Sequence, residues 1–203
     1  MNEVASSLTA FLAILNPFAL CLYLAAVMDD LESRTFFKVL LQASVISLVV
    51  FWVFALVGES LLVTVLNLRT ESLRIFGGII FFIIGYNYVM RGYKAAEVLR
   101  GTLEDLPSAI ALPYMIGAGT ITQAILVGKK HSAHVSMLIL LVGIAVAFVL
   151  VAGFKVLRDH MKRRNKLVFN RYVNILSRIN GLLIGAISTQ MVVSGVRSLW
   201  DGG

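Results

Sequence analysis

Apolar positions in this chain fall into long unbroken windows, neither the short alternating runs of a half-buried sheet nor the single stripe of a soluble amphipathic helix. Windows free of Asp, Glu, Lys and Arg cover residues 4–28, 39–58, 75–90, 106–128, 135–154 and 179–196. A helix needs about 20 apolar residues to cross a bilayer, so the pattern predicts six spanning helices. The third window is the shortest, and its flanking Arg74 and Arg91 lengthen it by snorkelling their stems toward the interfaces. Residues 59–68 are too few to cross and are expected at the interface or packed over the bundle.

Two of these windows are interrupted by residues that a membrane helix normally avoids. The first contains Asn16-Pro17, and the fourth contains Pro113 followed by Gly117-Ala118-Gly119-Thr120. Proline removes a backbone donor and clashes with the preceding turn. In a bilayer no water receives the freed groups, so broken helices survive only where protein or a polar cavity takes them. Paired breaks in the two halves of a chain are the pattern of a secondary transporter's binding site.

An internal repeat points the same way. Setting Arg74 on Arg178 matches Arg74, Ile75 and Gly77 with Arg178, Ile179 and Gly181, and gives six identities in 17 positions. At a similar offset Asn16-Pro17-Phe18-Ala19 falls on Gly117-Ala118-Gly119-Thr120. Three spans per half is an odd number, so the second half enters the membrane upside down relative to the first. The expected fold is an all-α membrane protein of six transmembrane helices, built as two inverted three-helix repeats with the first and fourth helices broken. The repeats are residues 1–98 and 99–203, joined in one membrane domain.

Composition agrees: 59% hydrophobic residues, 14% charged and a mean hydropathy of +0.88 exclude an ordinary soluble domain. The net charge of +7 reports orientation. With six crossings, thirteen Lys and Arg lie in or beside the first, third and fifth loops, Lys155 and Arg158 among them, against five on the other side. That bias puts those loops in the cytoplasm and both termini outside the cell membrane. The basic stretch at residues 158–166 carries no interleaved aromatics, which argues against nucleic acid and for lipid headgroups as its partner. Residues 1–10 lack a basic start and no small-residue cleavage site follows, so the first window is read as a retained span and not a signal peptide. Cys21 is the only cysteine and cannot form an intramolecular disulfide. His131 and His134 fall in the short fourth loop, where the default environment is solvent.

Candidate chemistry gathers at the two breaks. A broken helix exposes carbonyls at one end and N–H groups at the other, with partial charges of roughly half an electron. A zwitterion needs both. Its carboxylate would lie on the N–H groups near Gly117, Ala118, Gly119 and Thr120, and its ammonium or a sodium ion on the carbonyls preceding Asn16 and Pro17. Small residues, Ala19 among them, leave space there. Asn16 either lines that site or only caps the half-helix beginning at Pro17. Thr120 and Thr122 either line it or return their hydroxyls to carbonyls one turn back. Gln123 and Gln190 are amides in apolar spans, candidates for substrate contact or interhelical hydrogen bonds. Gly181 and Gly185 form Gly-x-x-x-Gly, which favours helix packing. The six windows hold no Asp, Glu, Lys or His. This removes a carboxylate proton relay and the residue sets of an intramembrane enzyme, and it implies no cofactor beyond a coupling Na+ or H+. A channel would want a polar stripe through several spans, and here the polar residues gather at two points.

The stretch Leu73-Arg74-Ile75-Phe76-Gly77-Gly78, the two breaks, and Ser177-Arg178-Ile179-Asn180-Gly181 with Gln190 and Gly195 resemble the MarC family, which includes a small neutral amino acid transporter. The resemblance covers nearly the whole chain. It implies a six-span protein moving glycine, alanine and similar amino acids with a cation gradient, export of another small metabolite being the alternative; a homo-oligomer stays open. Two departures stand out. The family often shows Gly-Pro-Gly where this chain has Gly117-Ala118-Gly119, and some members carry Asp where this chain has Asn16. Coupling through a carboxylate at that position is therefore excluded.

Overall fold

The computed structural model describes residues 3–61, 67, 69–92 and 104–201, and among them every regular element is helical. The expected boundary between halves at residues 98 and 99, and most of the segment at 59–68, lie outside the described residues. The elements are α1 (Glu3–Leu15), α2 (Pro17–Tyr23), α3 (Ala25–Asp30), α4 (Ser33–Glu59), α5 (Thr70–Arg91), α6 (Leu106–Ile110) running into a π-helical turn (Ala111–Met115), α7 (Ala118–Lys130) and α8 (Ala133–Asp201).

Five stretches are long and apolar enough to cross a bilayer: Glu3–Tyr23, Ser33–Gly58, Glu71–Arg91, Ala133–Met161 and Arg171–Trp200. A sixth forms if Leu106–Met115 and Ala118–Lys130, bent by 73° at their junction, count as one span. These six coincide with the six apolar windows. Helix α8 supplies two of them. A straight helix of its 69 residues would extend roughly 100 Å. Yet Phe11 packs on Gly143, and Ile14, one turn beyond Phe11, shares a cavity with Ile187. The axis of α8 therefore folds back, and its two arms stand beside the same helix α1.

Burial separates core from lipid face. On α4, Leu41, Val45, Val49, Val53 and Leu56 form a half-exposed apolar stripe, at the spacing of one helical face. The opposite face is buried at Phe36, Val39, Leu40, Ala43, Ser44, Ser47 and Phe51. The first arm of α8 is buried at the same places 100 residues on: Ser136, Ile139, Leu140, Gly143, Ile144, Ala147 and Val151. Phe51 meets Phe11 edge to face at 5.3 Å between ring centres, a favoured aromatic geometry.

The second arm of α8 lies antiparallel on α5. A methyl group on Gly85 would stand 2.9 Å from the Gly181 carbonyl oxygen and 2.9 Å from the Gly185 nitrogen, and one on Gly78 would stand 2.9 Å from the Ser188 carbonyl. Glycine at these crossings lets two backbones approach with no side chain between them.

Candidate functional site

The first break is made by Asn16. Its φ of 47° and ψ of 73° are left-handed, a conformation that asparagine tolerates better than most non-glycine residues. Its side-chain oxygen accepts the Ala19 N–H at 3.1 Å, capping α2, and Pro17 takes the first helical position, where a missing donor costs least. The consequence falls on α1. Pro17 has no N–H to give the Ala13 carbonyl, and the Ala19 N–H that would reach Leu15 is spent on Asn16. Ala13 and Leu15 thus end α1 with carbonyls lacking their i+4 partners.

The second break is longer. Leu112 leaves helical geometry (φ −113°, ψ 126°) beside a cis peptide to Pro113, and Ile116 and Gly117 are extended before α7 begins. Thr120 closes the new N-terminus: its hydroxyl accepts the Gly117 N–H at 2.9 Å and lies 2.9 Å from the Met115 and Gly117 carbonyls, to which it donates. The first backbone bond of α7 runs from the Ile121 N–H to the Gly117 carbonyl, so the N–H groups of Ala118, Gly119 and Thr120 are the end donors of the helix.

Between the breaks lies a narrow cavity of about 60 Å³, lined by Ala13, Ile14, Leu15, Asn16, Ala19, Tyr23, Phe81, Tyr114, Thr120, Ile184, Ile187 and Met191. Three expected site residues, Asn16, Ala19 and Thr120, line it. Pro17 shapes the break without facing the cavity. Gly117, Ala118 and Gly119 are spent on packing. A methyl on Gly117 would meet the Phe81 ring at 2.6 Å, one on Gly119 would meet the Ile14 side chain at 3.0 Å, and Ala118 fills the space over Gly77. The expected open glycine cradle is therefore already occupied by protein. Gln123 is half-buried outside the cavity. Gln190 points away from it: exposed, its amide donates to Ser194 Oγ at 3.1 Å on its own helix, beside a cavity face made by Ile184, Ile187 and Met191. Thr122 returns its hydroxyl to the Ala118 carbonyl at 2.8 Å.

Six liners besides the α1 carbonyl turn went unread in the sequence: Tyr23, Phe81, Tyr114, Ile184, Ile187 and Met191. The tyrosines carried a signal. Tyr23 follows Asn16 by two helical turns and so faces the same way, and Tyr114 lies inside the second break. Their rings meet tilted at 5.0 Å between centres, and Tyr23 also packs tilted against Tyr88 at 4.6 Å.

A second polar cluster corrects the reading of the fifth loop. Lys155 and Arg158, counted in or beside the fifth loop, lie on the first arm of α8 and are 3% and 0% exposed. Arg158 holds Asp29 through two bonds, Nε to Oδ1 at 2.8 Å and Nη2 to Oδ2 at 2.7 Å. Lys155 donates to the Met28 carbonyl at 2.7 Å, the Leu31 carbonyl at 3.1 Å and Asp159 at 2.9 Å, placing a cation at the carbonyl end of α3. Ser33, opening α4, donates to Asp159 at 2.8 Å. The apolar window stopped at Lys155 because its charge ended the count, whereas the helix continues and its charges are met by α3. At the far end of the bundle, His131 is half-buried, its Nε2 2.9 Å from Ser7 Oγ; the solvated default does not hold there.

The helices, the apolar outer belt and the paired breaks define an integral membrane protein with discontinuous spans. The chain belongs to the MarC family of integral membrane proteins, matching it over residues 1–200. It is 26% identical to a UPF0056 membrane protein of Buchnera aphidicola from Schizaphis graminum, over 98% of each chain. It is also 26% identical to the inner membrane protein YhgN of Escherichia coli K12, over the full length of both. A UPF0056 membrane protein of Pyrococcus horikoshii is 24% identical over 96% of this chain and 94% of its own. No solved structure matches.

Proposed function

We propose that this protein is a secondary transporter of small neutral amino acids, working by alternating access around the cavity between the two helix breaks. The observation that carries this reading is the lining of that cavity. It joins the freed carbonyl end of α1 and the amide and hydroxyl of Asn16 and Thr120 to an otherwise apolar wall, with no Asp, Glu, Lys, Arg or His among the described liners. A substrate with net charge would meet no counter-ion there. A zwitterion would place its ammonium against the Ala13 and Leu15 carbonyls, at the negative end of α1. The same carbonyls offer hard oxygen ligands to a coupling sodium ion. The rings of Tyr23 and Tyr114 complete the wall of the same cavity.

Size favours the small end of the class. A water needs about 10–15 Å³ of such space, so the cavity of about 60 Å³ suits a solute of a few heavy atoms such as glycine or alanine. A leucine-sized side chain requires the wall of Ile184, Ile187 and Met191 to move.

The test is uptake of radiolabelled glycine, alanine and leucine into proteoliposomes, with sodium and proton gradients imposed separately. Gradient-driven accumulation of glycine and alanine, with leucine weak, is the expected result. Folded protein that accumulates none of the three under either gradient would overturn the reading.

A further inference from the structure

The buried ion-pair cluster closes one end of the bundle, and its place in the repeat shows what stands at the other. Under the shift of 100 residues that superposes the burial of α4 on the first arm of α8, Lys155 and Arg158 fall on Ala55 and Gly58, and Asp29 on Lys129. The contact equivalent to Lys155 on the Met28 carbonyl is Gly128 pressed on the Ala55 carbonyl, and Gly58 packs on Ile125. A polar link at that end is the hydroxyl–imidazole bond of Ser7 and His131 at 2.9 Å. Related joints are thus built from small residues at one end and, at the other, from the buried cations Lys155 and Arg158 held by the part-exposed carboxylates Asp29 and Asp159.

Apolar side chains of equal volume would close a static joint at least as well as a buried ion pair, while a pair broken from one side is strongly destabilised. What charges add is two discrete states, paired with both cations buried and hydrated when apart. The segment they hold is suited to move. Helix α2 starts at the Asn16 break and passes into α3 at Leu24 (φ −83°, ψ 0°) with the backbone bonds Leu24 N–H to Leu20 and Met28 N–H to Leu24 kept, so the two form one segment, hinged at Asn16, beside the first arm of α8. Their contacts follow one register, from Cys21 Sγ at 3.9 Å from the Leu150 carbonyl to Lys155 on Met28 and Arg158 on Asp29.

We infer that the Asp29–Arg158 pair, braced by Lys155 and Asp159, is the gate at this end of the transport path, and that it opens when α3 leaves the first arm of α8. This deepens the transporter reading and rests on it. Closed, the pair seals the route from the α3–α4 turn to the cavity; open, both ionised groups are taken up by water entering that route.

Cys21 is a built-in reporter. It is buried at 5% exposure, is the only cysteine, and lies on α2 between the cavity and the gate. The experiment follows the labelling rate of Cys21 by a water-soluble maleimide in purified full-length protein in lipid nanodiscs, read by intact mass, with size-exclusion elution checking the fold. Wild type is expected to label slowly. Asp29→Asn and Arg158→Gln are each expected to label roughly tenfold faster or more, as the open population rises, and Ser7→Ala at the opposite end leaves the rate at the wild-type value. If the Asn and Gln variants fail to fold, Arg158→Lys carries the test, with a several-fold rise expected from a charge kept without its two-pronged geometry. Folded gate variants that label at the wild-type rate, or a Ser7→Ala variant that labels as fast as they do, overturn the gate. Labelling needs no substrate. Failed uptake with gated labelling therefore removes the amino acid reading alone, and the reverse result removes the gate alone.

Discussion

Asn16 combines two properties that neither glycine nor alanine keeps together: a backbone at φ 47° and a side-chain cap on Ala19. Glycine keeps the first and alanine keeps neither. Asn16→Gly is expected to lower stability by a few tenths of a kcal/mol, and Asn16→Ala by about 2 kcal/mol, as the left-handed strain and the lost cap combine. Thermal unfolding in detergent should rank wild type, Asn16→Gly and Asn16→Ala in that order. Thr120 is comparable. Thr120→Val strands the Gly117 N–H at the second break, with an expected cost of about 1–3 kcal/mol and loss of uptake, while Thr120→Ser retains both, as unfolding and flux assays would read. These two residues were legible in the sequence because Asn-Pro and the Gly-Ala-Gly-Thr run act on their own neighbours. Ile184, Ile187 and Met191 were not. An apolar residue in a span looks the same whether it faces lipid or a cavity, and only the packing of α5 on the second arm of α8 decides. Gln190 shows the opposite case, a polar residue that found its partner in Ser194 on its own helix.

Among the elements, the crossing of α5 and α8 separates two glycines that a motif treats alike. In Gly-x-x-x-Gly, a methyl on Gly181 would lie 2.9 Å from the Gly85 carbonyl and from the Val89 nitrogen, whereas one on Gly185 meets nothing within 4 Å. Backbone cannot turn aside as a side chain does. Gly181→Ala is therefore expected to destabilise by about 1–3 kcal/mol, and Gly185→Ala to stay within about 0.5 kcal/mol of wild type, measured as the shift in the unfolding midpoint. The existence of every span was legible, because an uninterrupted apolar window has few other outcomes. The ends were less so. The fifth window closed at Lys155, yet the helix buries both Lys155 and Arg158, since their partners stand 127 and 129 residues earlier in sequence at Met28 and Asp29. No local pattern encodes a pairing of that range.

For the whole molecule, an even number of crossings returns the two ends to one side. A protease-cleavable tag on either end of the protein in sealed, oriented vesicles is expected to be cut from the same face, and cutting from opposite faces would mean that α6 and α7 re-enter without crossing. One burial pattern recurs in α4 and, 100 residues on, in the first arm of α8. The difference between their closing contacts did not show in the sequence alignment, because an ion pair and a glycine contact leave no common residue to compare.

The cluster around Lys155 also bears on how the chain is made. Asp29 enters the membrane with the first helices, and Arg158 and Lys155 are synthesised only after three further spans have emerged. Until then the end of α3 lacks the cation that Lys155 brings to its carbonyls and the two-pronged bond that Arg158 gives Asp29. The first half, for all its likeness to the second, is therefore not a protein in its own right: expressed alone it is expected to be degraded, and co-expression of a fragment carrying residues 99–203 to restore its level in the membrane. The first arm of α8 thus closes a joint whose other side was made four spans earlier.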